Sequence, residues 1–236
     1  MSSNKKIEDT KMSLKKIETL VEIKENPVVR ATITSIIKSI PAIGTFIDNS
    51  IDVVINDFQA EKREELLNII LSDQECITSD MVNDVEFIMN FGKVLESVNR
   101  LATNDKIQYF ANLIRNGYFT EDKIKNDEFE QYLDIINRLS YSEINLLFLF
   151  ASYRISKKEL KDKMVSEKEF LNLCKETLGI DSDMVIPMLY KLQTTGFVIP
   201  FSQPSGMMFL AEDQLKFLLT ARFDNFSKRI SGNISK

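Results

Sequence analysis

Histidine and tryptophan are both absent from this 236-residue chain. Without imidazole, no side chain has an ordinary pKa close to neutrality. Ser-His and Cys-His nucleophile pairs and His-ligated metal sites are therefore excluded. Glycine is scarce as well, with 7 positions, and none falls in a G-x-x-x-x-G-K-[ST], G-x-G-x-x-G or G-x-S-x-G pattern. No loop of that composition is available to cradle a phosphate or to present a serine nucleophile. With only 5 prolines beside those glycines, the chain has too little turn punctuation for a β-sandwich and suits long helices. Cys76 and Cys174 lie far apart, neither in a C-x-x-C pair, which reads as reduced thiols of a cytoplasmic chain, with a disulfide or a metal site as the alternative.

Long apolar runs are missing too. The start, MSSNKKIEDTKMSLKK, is polar and lacks the apolar stretch of a secretory signal. The longest uncharged stretch, Leu192–Ala211, holds Gly196, Pro200, Pro204 and Gly206. That composition argues for strand and turn and against a membrane span. Net charge is −5, so the chain has no overall attraction to nucleic acid or anionic lipid. Residues 61–100 alone carry −5, while residues 140–236 carry +2.

What is present is helical periodicity. After a charged lead-in over residues 1–12, Leu14, Ile17, Leu20 and Val21 begin a stripe that Pro27 ends. Residues 28–58 predict two apolar helices meeting at Ser39–Pro41, with Gly44 allowing close approach of a neighbour. The helix continues over Glu61–Leu71, with Glu61, Lys62, Arg63, Glu64 and Glu65 expected on the wet side. Met81–Leu101 predicts a long helix capped by Ser79 or Asp80, its inner face Met81, Val85, Ile88, Met89, Gly92, Leu95, Val98 and Leu101. Asn104–Asn116 follows, with Gly117 in the C′ position that stops a helix. Asp127–Leu139 turns Phe129, Leu133, Ile136 and Leu139 inward.

Beyond residue 139 the pattern changes. Ser142 is the expected cap of Glu143–Tyr153, and Ser166 and Glu169 form a capping-box pair ahead of a helix that Gly179 stops. Asp181–Thr195 turns Val185, Ile186, Leu189 and Leu192 to one side, with Pro187 near its first turn and Gly196 at its end. Two β-prone stretches, Phe197–Phe201 and Met207–Leu210, are joined by Ser202–Gly206, and a last helix covers Glu212–Phe226. Three helices, a hairpin and a helix are the order of a winged-helix module. The expected architecture is mainly α: a multi-helix bundle over residues 13–139, a winged-helix-like module with one short hairpin over 140–228, and a tail over 229–236.

Few residues in this pattern point to chemistry. The acid pairs Glu61/Glu65, Asp80/Asp84 and Glu128/Glu130 sit among other charges and read as solvated faces, since a catalytic pair needs burial to split its pKa values. No catalytic, cofactor-binding or metal-ligating residue is assigned, and no cofactor is expected. A basic run, Arg154, Lys157, Lys158, Lys161, Lys163 and Lys168, is the candidate contact for nucleic acid or a partner. Against a duplex, the presumed reading helix opens with Asp181 and Asp183 and carries one cation, Lys191. The alternative reading of the run is a solvated helix and loop. The apolar segment with Ile37, Ile40, Pro41, Ile43, Gly44, Phe46 and Ile47 is a candidate hairpin for a membrane surface or partner helix. A buried hairpin is the plainer reading, because Arg30, Lys38, Asp48 and Asp52 interrupt it.

Two stretches carry a family resemblance. In the first, Tyr109-Phe110-Ala111-Asn112-Leu113-Ile114 precedes Asn126-Asp127-Glu128-Phe129, then Ile135-Ile136-Asn137-Arg138-Leu139-Ser140 and Glu143-Ile144. In the second, Leu189-Tyr190-Lys191-Leu192 runs into Gly196-Phe197-Val198. Together they resemble the Abi-alpha (abortive infection alpha) family of bacterial proteins. Thr195-Gly196-Phe197 stands where that family favours Leu-Gly-Leu. The resemblance implies a role in bacterial defence against phage, exerted through protein contacts, and carries no catalytic residue with it. The resulting expectation is a non-enzymatic cytoplasmic protein with a protein partner or self-association. A winged-helix DNA-binding regulator and a membrane-active effector using residues 28–58 are the alternatives.

Overall fold

A computed structural model describes residues 49–71, 84–159, 166–200 and 215–232. Among them the chain is mainly helical, with eight α-helices and one antiparallel two-stranded ladder. The chain divides into two compact units, residues 1–133 with 232–236, and residues 134–231.

In the first unit, α1 (Asn49–Leu71), α2 (Val85–Asn99) and α3 (Ile107–Tyr118) pack pairwise. α4 (Asn126–Arg138) starts in this unit, and the division falls within it. The expected joint at Ser39–Pro41 and the hairpin residues Ile37, Ile40, Pro41, Ile43, Gly44, Phe46 and Ile47 lie outside the described residues. α1 buries Leu66, Leu67 and Ile70, and also Lys62, which is 1% exposed. This corrects the expectation that the whole charged run 61–65 faces water. Lys62 lies one turn before Leu66 on the inner face, and its ammonium donates to the Leu101 carbonyl just past the end of α2. A cation satisfies the unpaired carbonyls at a helix C-terminus. Glu65 accepts from Asn104 Nδ2 at 2.8 Å, making a second tie to the same loop.

The inner face of α2 keeps the expected Leu95 and Val98 but is rotated from the expected one in its first half. Phe87, Phe91, Val94, Leu95 and Val98 are buried, while Val85 (69%) and Met89 (59%) are exposed. Both stripes have helical spacing, and the larger payload decides. Phe87 meets Phe91, at 5.9 Å between ring centroids, and Tyr118 edge-on, at 5.2 Å. Tyr118 in turn lies 5.5 Å from Phe129. Aromatic pairs add about 0.5–1.5 kcal/mol each to their area burial. The cap is Asp84, whose carboxylate accepts from the Glu86 N–H at 2.9 Å; the expected caps Ser79 and Asp80 lie outside the described residues. Gly117 lies inside α3 and does not end it; Phe119 is the C-cap. A β-carbon at Gly117 would stand 2.9 Å from Ile124 Cγ2, so close approach explains the glycine there.

The second unit holds α5 (Tyr141–Glu159), α6 (Glu167–Leu178), α7 (Ser182–Leu192), β1 (Val198–Pro200), β2 (Phe217–Leu219) and α8 (Ala221–Ile230). Phe129, Leu133 and Ile136 of α4, and Leu139 just past its end, are buried as read. At α5 the capping pair is Ser140 and Glu143, not Ser142. The Glu143 N–H donates to Ser140 Oγ at 3.1 Å, and the Ser140 N–H donates to Glu143 Oε2 at 2.9 Å. This is a reciprocal capping box. Ser166 caps α6 as expected, and Gly179 closes it at φ 66° in the left-handed region.

Pro187 lies in the second turn of α7. A 3-10 turn over Gln193–Thr195 follows, and Gly196, at φ 74°, turns the chain into β1. The register pairs Val198 with Leu219, Ile199 with Leu218 and Pro200 with Phe217. The expected partner strand Met207–Leu210 and turn Ser202–Gly206 lie outside the described residues. The strand that does pair, Phe217–Leu219, falls where a helix from Glu212 was expected, so the last helix starts at Ala221. Phe197 links the ladder to α8, stacking on Phe226 at 4.6 Å and meeting Phe223 at 5.9 Å. Burying a side chain of that size favours folding by about 1.5–3 kcal/mol.

Candidate protein-docking surface

The outer face of α7 is the most distinctive described surface of the second unit. Val185, Leu189 and Leu192 point inward and are fully buried. Asp183, Met184, Pro187, Tyr190 and Lys191 are exposed. With 3.6 residues per turn, Asp183, Pro187 and Tyr190 stand at i, i+4 and i+7 on one stripe. Met184 and Lys191 flank Pro187 on the other side. Met184 is 53% exposed and Tyr190 59%, both high for large apolar bodies. The Tyr190 ring meets Phe217 edge-on at 5.0 Å, and Phe217 pairs with exposed Pro200, so the apolar surface continues onto the ladder.

Lys191, the only cation in α7, is engaged. Its ammonium lies 2.6 Å from Glu143 Oε1, and the Glu143 side chain is almost wholly buried. Burial pushes the Glu143 carboxyl up. The Lys191 ammonium and the Ser140 N–H and hydroxyl outweigh that push and hold it below the usual range. An ion pair with one desolvated member is costly to break, because the buried charge is left uncompensated. At the other end of α7, Asp181 is the N-cap residue, with Lys175 3.8 Å away.

The basic run is not assembled into a described cluster. Arg154 is half-buried, its guanidinium 5.9 Å from the Phe150 ring centroid. Burial lowers its pKa, against the pull of the Asp224 carboxylate. Lys168 is exposed in the first turn of α6. Lys157 and Lys158 lie in the last turn of α5, their side chains outside the described set, as are Lys161 and Lys163 altogether.

The acid pairs resolve into separate structural contacts. Glu130 pairs with Lys93 at 2.5 Å, and that ammonium holds its carboxyl below the usual range. Glu128 accepts from the Tyr132 hydroxyl at 2.8 Å, and Asp84 caps α2. Glu61 is exposed, whereas Glu65 is tied to Asn104. Asn90, buried between α2 and α4, donates to the Tyr118 hydroxyl at 2.6 Å and to Asn126 Oδ1 at 2.8 Å. Burial raises the Tyr118 phenol. Cys174 is a buried free thiol pushed up to about 12, which removes its nucleophilic form at neutral pH. Among the described residues no group of three or more acidic or cysteine side chains could hold a metal ion, and no helix is long and apolar enough to cross a membrane.

The reading of the sequence missed two parts of this surface. The Lys191–Glu143 pair joins residues 48 positions apart, and only the Ser140-x-x-Glu143 spacing was visible locally. The Asp183–Pro187–Tyr190 stripe was legible from its spacing. No family model, curated protein or solved structure matches the chain.

Proposed function

We propose that the chain is a non-enzymatic, cytoplasmic bacterial protein of phage defence that acts by docking another protein. Its second unit serves as a winged-helix-like module, with α7 as the third helix and β1–β2 as the base of the wing. The element order supports that reading.

One observation carries the choice of docking over duplex reading. The helix that would enter a groove holds its single lysine on Glu143 and presents Met184, Pro187, Tyr190 and Asp183 outward. Groove contacts and phosphate neutralisation need free arginine or lysine. An apolar centre with an aromatic anchor suits a protein interface.

The test compares plaque counts on cells carrying no gene, the wild-type gene, and a Met184→Glu/Tyr190→Glu variant matched for soluble expression. Protection by the wild type and its loss in the variant supports the reading. Equal counts for all three across a broad phage panel overturn the defence assignment. Salt-sensitive retention of labelled duplex by micromolar protein overturns docking in favour of the DNA-binding alternative.

A further inference from the structure

We infer that the α7 face takes a basic, apolar peptide segment: aliphatic anchors flanked on both sides by arginine or lysine. The inference rests on the docking reading and gives the partner its chemistry. It starts from what the stripe offers at its two ends. Asp183 presents an exposed carboxylate at one, and Tyr190 an exposed aromatic ring at the other. A carboxylate attracts a cation by charge, and an aromatic face attracts one through its quadrupole. Met184 and Pro187 lie between them and supply only apolar surface.

Among the described residues of α7, the one cation on this face is already paired. Lys191 is the single basic residue of α7, and Glu143 holds it. An acidic partner would meet the Asp183 carboxylate, while the cations near the two ends of α7, Lys175 and Lys191, already face Asp181 and Glu143. Electrostatic complementarity thus selects the sign of the partner.

The spacing narrows it further. Seven residues of helix separate Asp183 from Tyr190, about 10 Å at the α-helical rise. In a polyproline II segment, with three residues per turn, side chains three residues apart share one face and stand about 9 Å from one another. The fitting segment is therefore a cation, two aliphatic residues and a cation.

The experiment titrates the full chain against two fluorescein-labelled peptides, GSRLLRSG and GSELLESG, followed by anisotropy at low and at physiological salt. The expected result is binding of the arginine peptide about tenfold tighter than the glutamate peptide, a preference that shrinks with salt. Asp183→Asn and Tyr190→Leu should each remove part of that preference. Tyr190→Leu keeps apolar bulk while removing the ring, so its loss of selectivity reports the cation contact and not packing. Both positions are exposed, and unchanged circular dichroism identifies folded variants. Equal binding of the two peptides, or a preference that neither substitution moves, overturns this inference while leaving docking intact. Tighter binding of the glutamate peptide reverses the assigned sign and overturns it too. If neither peptide binds, the basic-segment chemistry is wrong, and the plaque comparison with Met184→Glu/Tyr190→Glu decides the docking reading separately.

Discussion

Alanine should stabilise the protein at Gly92 but not at Gly117. Both glycines are helical, Gly92 in α2 and Gly117 in α3. Replacing glycine by alanine in a helix interior favours folding by about 1 kcal/mol, partly by restricting the unfolded chain. At Gly92 nothing lies within 4 Å of an added β-carbon, so the gain should appear in full. At Gly117 the same carbon would stand 2.9 Å from Ile124 Cγ2, 3.6 Å from Ile124 Cβ and 3.8 Å from Phe129 Cδ2. Ile124 has little room to give. Its methyl is attached at Cβ, its χ1 is stiff, and its N–H donates to the Gly117 carbonyl at 2.9 Å. Overpacking of this kind costs about 1–3 kcal/mol. Set against the propensity gain, Gly117→Ala should be neutral to about 2 kcal/mol destabilising, and the two variants should differ by about 1–3 kcal/mol.

Urea unfolding followed by far-UV circular dichroism measures the gap. A cycle with Ile124→Ala identifies its cause. Removing both γ carbons of Ile124 should turn Gly117→Ala into a stabilising change like that at Gly92. If Gly117→Ala stabilises the wild type as much as Gly92→Ala does, the close approach of α3 to Ile124 is not a constraint, and the explanation offered for that glycine is wrong.

Other outcomes follow from the buried charges and caps. Glu143 has a depressed folded-state pKa, so its contribution to stability is present above the ordinary carboxylate range and lost as pH falls through the lowered value; Glu143→Gln should flatten the acid limb of a stability–pH profile. Burial lowers the Lys62 pKa, so the unfolded chain holds the proton to higher pH than the folded one, and the contribution of this group to stability should rise with pH as its ammonium titrates. Lys62→Met should abolish the rise and cost about 1–3 kcal/mol for the unpaired Leu101 carbonyl, read by denaturation at several pH values. In a Cys76→Ser chain, Cys174 should resist a thiol reagent at pH 8 until urea unfolds the protein; labelling at the rate of a free thiol in the native state would contradict its burial. Gly179→Ala should cost about 1–2 kcal/mol, because the position requires left-handed backbone, and an unchanged urea midpoint would refute that.

What the sequence made legible was local. Ser166, Gly179, Gly196 and the inward face of α4 each follow from a signal a few residues long, and the structure places them as read. The errors arise where two local solutions are equally good and a distant residue chooses. On α2, one stripe runs through Val85, Met89 and Gly92, another through Phe87, Phe91, Val94 and Val98. Tyr118 and Phe129, supplied by other helices, decide for the second. In the charged run 61–65, the i, i+4 and i+8 line of Lys62, Leu66 and Ile70 marks the residue that goes inward. The partner that makes burial tolerable, the Leu101 carbonyl, is 39 positions away. Phe217–Leu219 has no alternation to betray a strand, and it becomes one by pairing with Val198–Pro200 across a connection longer than a tight turn. The α7 surface divides the same way, with its stripe in the sequence and the fate of its lysine in the fold.

Glu143 joins these levels in one side chain. Its carboxylate closes the turn into α5 by accepting the Ser140 N–H, and the same group draws in the Lys191 ammonium from α7. Because Glu143 is buried, drawing Lys191 off to a phosphate would leave its carboxylate with the Ser140 contact but no counter-charge, which is costly in a desolvated position. A surface cation binding one phosphate recovers far less than that cost. The capping box that starts α5 therefore also sets the sign of the surface that α7 presents. The fold claims the one lysine of α7, and what remains outside is a carboxylate, an aromatic ring and apolar surface between them.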